Sequence, residues 1–262
     1  MTVEGNVDWP LKVARWPPAR RRARVREVLE LLAIADLGRR YPGEISGGQQ
    51  QRAAIARTIA PQPALLLFDE PLSNLDARLR VEMRAELLRV HRATGATSVY
   101  VTHDQIEAVT LATHVAVMRD GQVEQFGAPG EILQSPATAF VATFVGTPPG
   151  NLVPVAVHQG RYRFEELDLG VATDGAEGQR RWLLYRPETL SVHPDAGARR
   201  LPISLAEASP IAGRTVVTGC FHDQRLSAVV DRWPTARFGD RLYLEFPSVP
   251  AAVYGENGRS VG

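Results

Sequence analysis

Asp69 and Glu70 follow directly on a short apolar run, Ala64 to Phe68. A continuous run of that length reads as a strand buried on both faces of a parallel sheet. In such sheets functional groups collect where strands end at their carboxyl edge. An aspartate there suits a hard divalent cation such as magnesium, which takes oxygen ligands and keeps several waters. A second carboxylate beside it can orient or deprotonate an attacking water. His103 follows a second apolar stretch, Val99-Tyr100-Val101-Thr102, and can reach the same edge. Upstream, Ser46-Gly47-Gly48-Gln49 is a polar, glycine-rich turn that runs into a helix. Ser46 is a natural N-cap. Two glycines at a helix start let an anion approach the free backbone N–H groups, where the helix dipole favours negative charge. Ser73-Asn74-Leu75-Asp76 is a tight polar turn that opens the next helix.

The elements that carry these groups follow from periodicity and punctuation. Residues 1–16 show no strong period. Pro17-Pro18 introduces a helix with Val25, Val28, Leu29 and Leu32 on one stripe, proline being acceptable in a first turn. Arg20, Arg21, Arg22, Arg24 and Arg26 lie along its other faces, read as a solvated helix surface or as a surface that contacts a membrane partner or lipid headgroups. Pro42-Gly43 marks a turn. The helix opened by Ser46 runs to about Ala60, where Pro61 and Pro63 end it. Asp76 or a near neighbour caps a helix carrying Leu79, Met83, Leu87 and Val90, closed by Gly95. A strand over Ser98–Thr102 and a helix over Gln105–Thr113 come next. Asp120-Gly121 joins two short strands as a hairpin. Closing helices cover Glu131–Leu133 and Ala137–Val145.

Gly146-Thr147-Pro148-Pro149-Gly150 has the composition of a linker. Beyond it, short β-rich segments such as Arg161–Phe164, Trp182–Tyr185, Ser227–Val230 and Arg241–Phe246 alternate with turn residues, as in a small barrel or sandwich. Arg186 and Glu188 read as a surface pair.

Composition narrows the function. With 262 residues there is room for two domains. The net charge of +1 gives no excess to hold nucleic acid. No apolar run is long enough for a membrane span, and the first residues lack a signal-peptide pattern. The single Cys220 cannot form an internal disulfide, which fits a reducing cytoplasm.

Taken in order, Ser46–Gln49, Leu65–Glu70, Ser73–Asp76 and Val99–Asp104 resemble the signature motif, Walker B, D-loop and H-switch of the ATP-binding-cassette ATPases. Residues 1 to about 145 are similar to the maltose and sn-glycerol-3-phosphate importer class, most tellingly over Leu72–Glu86 and Val99–Ala108. Leu184-Tyr185-Arg186-Pro187-Glu188 looks like a strand end of that class's C-terminal regulatory domain, and Phe238-Gly239-Asp240 and Ala252-Val253-Tyr254 with Gly258 resemble its closing strands. The resemblance implies an α/β fold: an incomplete P-loop cassette, with a parallel sheet and a helical subdomain, over 1–146. A small all-β, OB-like regulatory domain over 151–262 would follow. It implies ATP and magnesium as cofactors, a second cassette subunit in a head-to-tail dimer, and integral membrane permease subunits as partners, at the cytoplasmic face of the inner membrane. Ser46, Gly47, Gly48 and Gln49 would contact the γ-phosphate of ATP held by the partner. Asp69 would position magnesium, Glu70 would act as general base, Asp76 would communicate across the dimer, and His103 would sense the γ-phosphate.

One family feature is missing. Lys12 is the only lysine and has no glycines around it, whereas a phosphate-binding P-loop reads G-x-x-x-x-G-K-[ST]. By resemblance Met1-Thr2-Val3 begins just after the family's Q-loop. The P-loop would then lie before Met1, leaving a misplaced start, a truncated gene or a degenerate paralogue as expectations. A non-hydrolytic truncated paralogue or regulatory module is the alternative function. A cassette ATPase of DNA repair is disfavoured, since heptads and basic excess are both lacking.

Overall fold

The computed structural model describes residues 1–73, 75–232 and 236–261. Asn74, inside the expected D-loop turn, lies outside the described residues. The chain forms two compact units, Met1–Ala112 and Thr113–Gly262. The linker-like stretch 146–150 falls inside the second.

The first unit opens with a helix, α1 (Val3–Val13), where no periodicity was expected. Thr2 caps it by accepting from the Gly5 N–H at 3.2 Å, and Val3, Val7 and Leu11 form its buried stripe. Pro10 sits within it and obscures the pattern. Next come α2 (Pro18–Leu31), α3 (Gly47–Ile59), β1 (Leu65–Asp69), α4 (Ala77–Thr94), β2 (Thr97–Val101) and α5 (Gln105–Leu111). Apolar stripes from α1 to α4 meet Leu66 in one core. Gly95, with φ +63, ends α4 in the left-handed conformation that glycine adopts without strain.

Two expectations are corrected here. Arg24 is not a solvated face residue. It is buried, with its Nε 3.0 Å from the Ala60 carbonyl and Nη2 3.1 Å from that of Ile59, so it caps the C-terminus of α3. Arg52 on α3 returns the arrangement, donating at 3.1 Å to the Leu32 carbonyl at the end of α2. Cations at helix C-termini satisfy orphan carbonyls and favour the dipole. Second, β1 is not buried on both faces. It pairs in parallel with β2, from Leu65↔Thr97 to Asp69↔Val101. Leu66 faces the helices, while Leu65 and Leu67 are 50% and 69% exposed and Val99 and Val101 are exposed beside them. Among the described residues of this unit the helices cover only one side of the pair.

The second unit begins with the hairpin of β3 (Val115–Arg119) and β4 (Gln122–Gly127). Asp120 and Gly121 both have positive φ at its turn, as a two-residue turn of the favoured hand requires. The short helices α6 (Pro129–Gln134) and α7 (Ala139–Phe144) follow. Two five-stranded antiparallel sheets complete the unit. One contains β5 (Asn151–His158), β6 (Arg161–Phe164), β7 (Leu167–Ala172), β8 (Arg180–Tyr185) and β14 (Ala252–Tyr254). The other contains β9 (Ser191–His193), β10 (Arg200–Ile211), β11 (Arg214–Phe221), β12 (Gln224–Val230) and β13 (Arg241–Glu245). Alternate residues of both sheets, among them Val153, Leu183, Val217 and Leu244, share one core. The buried Asn151 bridges them, donating to the Ser227 carbonyl at 2.8 Å and accepting from its N–H at 2.7 Å. Arg186 does not pair with Glu188. It donates to the carbonyls of Leu133 and Ala142 and so caps both α6 and α7.

Candidate functional site

The site lies in the first unit, at the carboxyl edge of β1 and β2. β1 ends at Asp69, and the Glu70 N–H still bonds to the Val101 carbonyl at 2.9 Å, which continues the ladder one residue beyond the strand. Glu70 adopts φ +41 immediately before Pro71. A non-glycine residue held there costs about 1–3 kcal/mol, and such outliers cluster at functional sites. The geometry turns the Glu70 side chain toward His103, whose Nδ1 lies 3.1 Å from Oε1. Both side chains remain open to solvent, at 45% and 70% exposure.

The His103 loop is anchored from below by a carboxylate that motif reading passed over. Glu107 on α5 is buried, and its Oε2 accepts from the Tyr100 hydroxyl at 3.0 Å and from Thr102 Oγ1 at 2.8 Å. Tyr100 and Thr102 share a strand face, two residues apart, and that period was the available signal. Burial first, and the Glu107 hydrogen bond second, push the Tyr100 hydroxyl far above its ordinary pKa. Asp104 caps α5, accepting from the N–H groups of Ile106 and Glu107. Arg80 on α4 donates to the Leu75 carbonyl at 2.9 Å and lies 4.0 Å from Asp104. Glu70, Ser73, Arg80, Thr102, His103, Asp104 and Glu107 line one small cleft.

The signature-like turn is built by local rules. Ser46 Oγ accepts from the Gln49 N–H at 3.4 Å, and Gln49 Oε1 accepts from the Ser46 N–H at 2.9 Å, a reciprocal capping box. The two glycines have different surroundings. A Cβ on Gly48 would lie 2.8 Å from both Leu79 methyls, so α3 and α4 approach closely there. Nothing lies within 4 Å of the corresponding position on Gly47, which is open to an incoming group. Gln51, two residues further on, donates to the Pro71 carbonyl at 2.7 Å and ties α3 to the segment after Glu70. Asp76 caps α4 by accepting from the Leu79 N–H at 2.9 Å. The structure thus pairs Glu70 with His103 directly, and places Asp69, Ser46–Gln49 and Asp76 at separate element ends.

The donor set sets limits on a metal. Among the described residues no group of three His, Cys, Asp or Glu side chains is placed to hold an ion. Asp69 is exposed, and its carboxylate has no hydrogen-bond or ion-pair partner among those residues. It fits magnesium as a single protein ligand, the form in which that ion is usually held beside phosphates.

Comparison with known proteins gives the family. Residues 1–73 match the ABC transporter family model. The chain is 39% identical over 267 residues to the sn-glycerol-3-phosphate import ATP-binding protein UgpC of Salmonella typhi, covering 100% of this chain and 75% of that one. The UgpC protein of Escherichia coli O157:H7 is 39% identical over 268 residues, with the same coverage.

The chain belongs to the ABC-importer ATPase family.

As a member of that family it is an energy-coupling, ATP-binding subunit of an importer, and its family-level activity is transport ATPase. An α/β fold with a β-rich C-terminal part is the fold class expected of this importer class. No helix among the described residues is long and apolar enough to cross a membrane.

Proposed function

We propose that Glu70 is the general base for ATP hydrolysis in this importer subunit and that His103 holds its carboxylate in place. The observation that carries this is the 3.1 Å Glu70–His103 contact at the carboxyl edge of the parallel pair. Glu70 would take a proton from the attacking water, while the bound nucleotide's magnesium would neutralise phosphate charge. Asp69 would hold that magnesium as its single protein ligand. Tyr100, Thr102 and Glu107 would fix the His103 loop.

Ser46, Gly47, Gly48 and Gln49 would serve a second nucleotide, held by another cassette subunit in a head-to-tail dimer. The open approach at Gly47 and the N-terminal N–H groups of α3 support this role. Asp76, which caps α4, would relay between the two sites. The 262 residues hold no glycine-flanked lysine, so the chain alone would lack the phosphate cradle that the site needs. Membrane permease subunits would be its further partners, at the cytoplasmic face of the inner membrane. The relatives' names point to sn-glycerol-3-phosphate or a similar small polyol or sugar phosphate as solute. Residues 151–262 would form the regulatory domain.

The test uses the chain joined to the P-loop segment of its Escherichia coli relative. Glu70→Gln in that chimera is expected to keep ATP binding and to lose about two to four orders of magnitude in turnover, the usual range for a positioned base. Near-normal turnover in the variant would assign the base elsewhere.

A further inference from the structure

Glu70 holds its unusual conformation between fixed points. Its N–H is bonded to the Val101 carbonyl at 2.9 Å. Two residues on, Leu72 is fully buried in the core of the first unit. Ser73 turns back on the Glu70 carbonyl, donating from its N–H at 3.2 Å and from its Oγ at 3.0 Å. The backbone passes through φ +41 at Glu70, although a residue before proline is pushed toward extended conformations. A non-glycine residue stays in that region only where its surroundings over-determine it. One constraint comes from another element. Gln51 Nε2 donates to the Pro71 carbonyl at 2.7 Å, across 20 residues of chain. Pro71 has no N–H, so its carbonyl is the polar handle by which a neighbour can hold it. Gln51 is half-buried on α3 and does not line the Glu70–His103 cleft. Its neighbours are engaged elsewhere: Gln50 donates to the carbonyls of Pro42 and Ile45, and Arg52 to that of Leu32. Of the three, Gln51 is the one aimed at the carboxyl edge of β1.

We propose that Gln51 is a positioning residue for Glu70, holding the turn at Pro71 so that the carboxylate faces His103. The proposal rests on the reading of Glu70 as general base and deepens it. Without the amide donor the turn relaxes toward negative φ and carries Oε1 away from His103 Nδ1. A base acts only within hydrogen-bond reach of the water that it deprotonates. A displacement of about 1 Å from productive geometry costs about a hundredfold in rate. Gln51 therefore acts on turnover and not on nucleotide binding, which separates kcat from KM.

The first measurement is NMR of the His103 imidazole in the full 262-residue chain, with its signals assigned by their loss in His103→Gln. Glu70→Gln is expected to shift them. Gln51→Glu, which keeps the shape and loses the donor, and Gln51→Leu should shift them in the same direction, with circular dichroism showing both variants folded. Arg52→Gln removes another long-range bond of α3 and should leave them in place. The second measurement is turnover in the chimera that carries the relative's P-loop segment. Gln51→Glu should lower kcat by about ten- to a hundredfold, with KM for ATP within about twofold of the unaltered chimera. Added to Glu70→Gln, it should cost nothing further. Signals moved by Glu70→Gln but not by the Gln51 variants would overturn the role of Gln51 and leave the Glu70–His103 reading standing. Signals moved by none of the three would remove the contact itself, and both readings would fall. An equal shift in Arg52→Gln would mean general loosening of α3. A raised KM at unchanged kcat, or a full further loss in the double variant, would mean that Gln51 does not act through Glu70. Each of these last outcomes overturns the proposal.

Discussion

The two methyl groups of Leu79 lie 2.8 Å from where a Cβ on Gly48 would stand, while a Cβ on Gly47, one residue earlier, would meet no neighbouring group within 4 Å. Adjacent glycines therefore have different surroundings, Gly48 packed where α3 meets α4 and Gly47 open. Gly48→Ala should destabilise the chain by about 1–3 kcal/mol, the usual range for overpacking, reduced to the extent that Leu79 can rotate away. Gly47→Ala should leave stability unchanged or raise it by about 0.4–1 kcal/mol. Thermal unfolding of the two variants side by side checks this, and equal losses would contradict the distinction.

Arg24 holds the end of the same helix. Arg24→Met keeps the apolar stem and removes the donors to Ile59 and Ala60, leaving the buried Ala60 carbonyl without a partner and the Ile59 carbonyl with the Gln62 N–H alone. A loss of about 1.5–3 kcal/mol follows from the usual value of a hydrogen bond to a charged group. Arg24→Lys should restore only part of it, since one ammonium cannot reproduce the guanidinium fork. Urea unfolding midpoints measure both.

The tyrosines set an alkaline limit. Burial pushes the Tyr254 hydroxyl from its ordinary value of 10.0 up to about 12, and it donates to the Pro136 carbonyl at 3.0 Å. Tyr185 and Tyr100 are raised too, in both cases first by burial. The folded state keeps these phenols neutral where the unfolded chain ionises them. Their contribution to stability is fully present below pH 10 and falls as pH rises from there toward 12 and beyond. Phenolate absorbance from these residues should therefore appear together with loss of far-ultraviolet circular dichroism. Early, structure-independent ionisation of all six tyrosines would contradict it.

What the sequence made legible was local. The Ser46 cap, the Asp76 cap, the Gly95 stop and the Asp120-Gly121 turn each depend on residues within a few positions, and each formed as expected. The parallel pairing of the Asp69 strand with the strand before His103 also followed from two short apolar runs. What was hidden was relational. Arg24 reads as one more exposed arginine until α2 packs beside the end of α3, whose Ala60 carbonyl lies 36 residues away in sequence. Arg186 meets its carbonyls only after α6 and α7 pack, so its neighbour Glu188 was a false lead. The burial of Leu65 and Leu67 depended on what covers the outer face of β1, which an apolar run does not state. α1 escaped because Pro10 and Gly5 masked the Val3, Val7, Leu11 spacing.

The most direct test is whether the Ser46–Gln49 turn meets another subunit's nucleotide. A cysteine placed by Ser46→Cys, with Cys220→Ser to remove the native thiol, is paired with a cysteine in the P-loop of a complete homologous subunit. Crosslinking is then followed with Mg-ATP, with Mg-ADP and without nucleotide. Head-to-tail pairing around ATP predicts a crosslink that forms with Mg-ATP and is weak or absent in the other two conditions. A yield independent of nucleotide, or none with Mg-ATP while a complete control pair crosslinks, would contradict it.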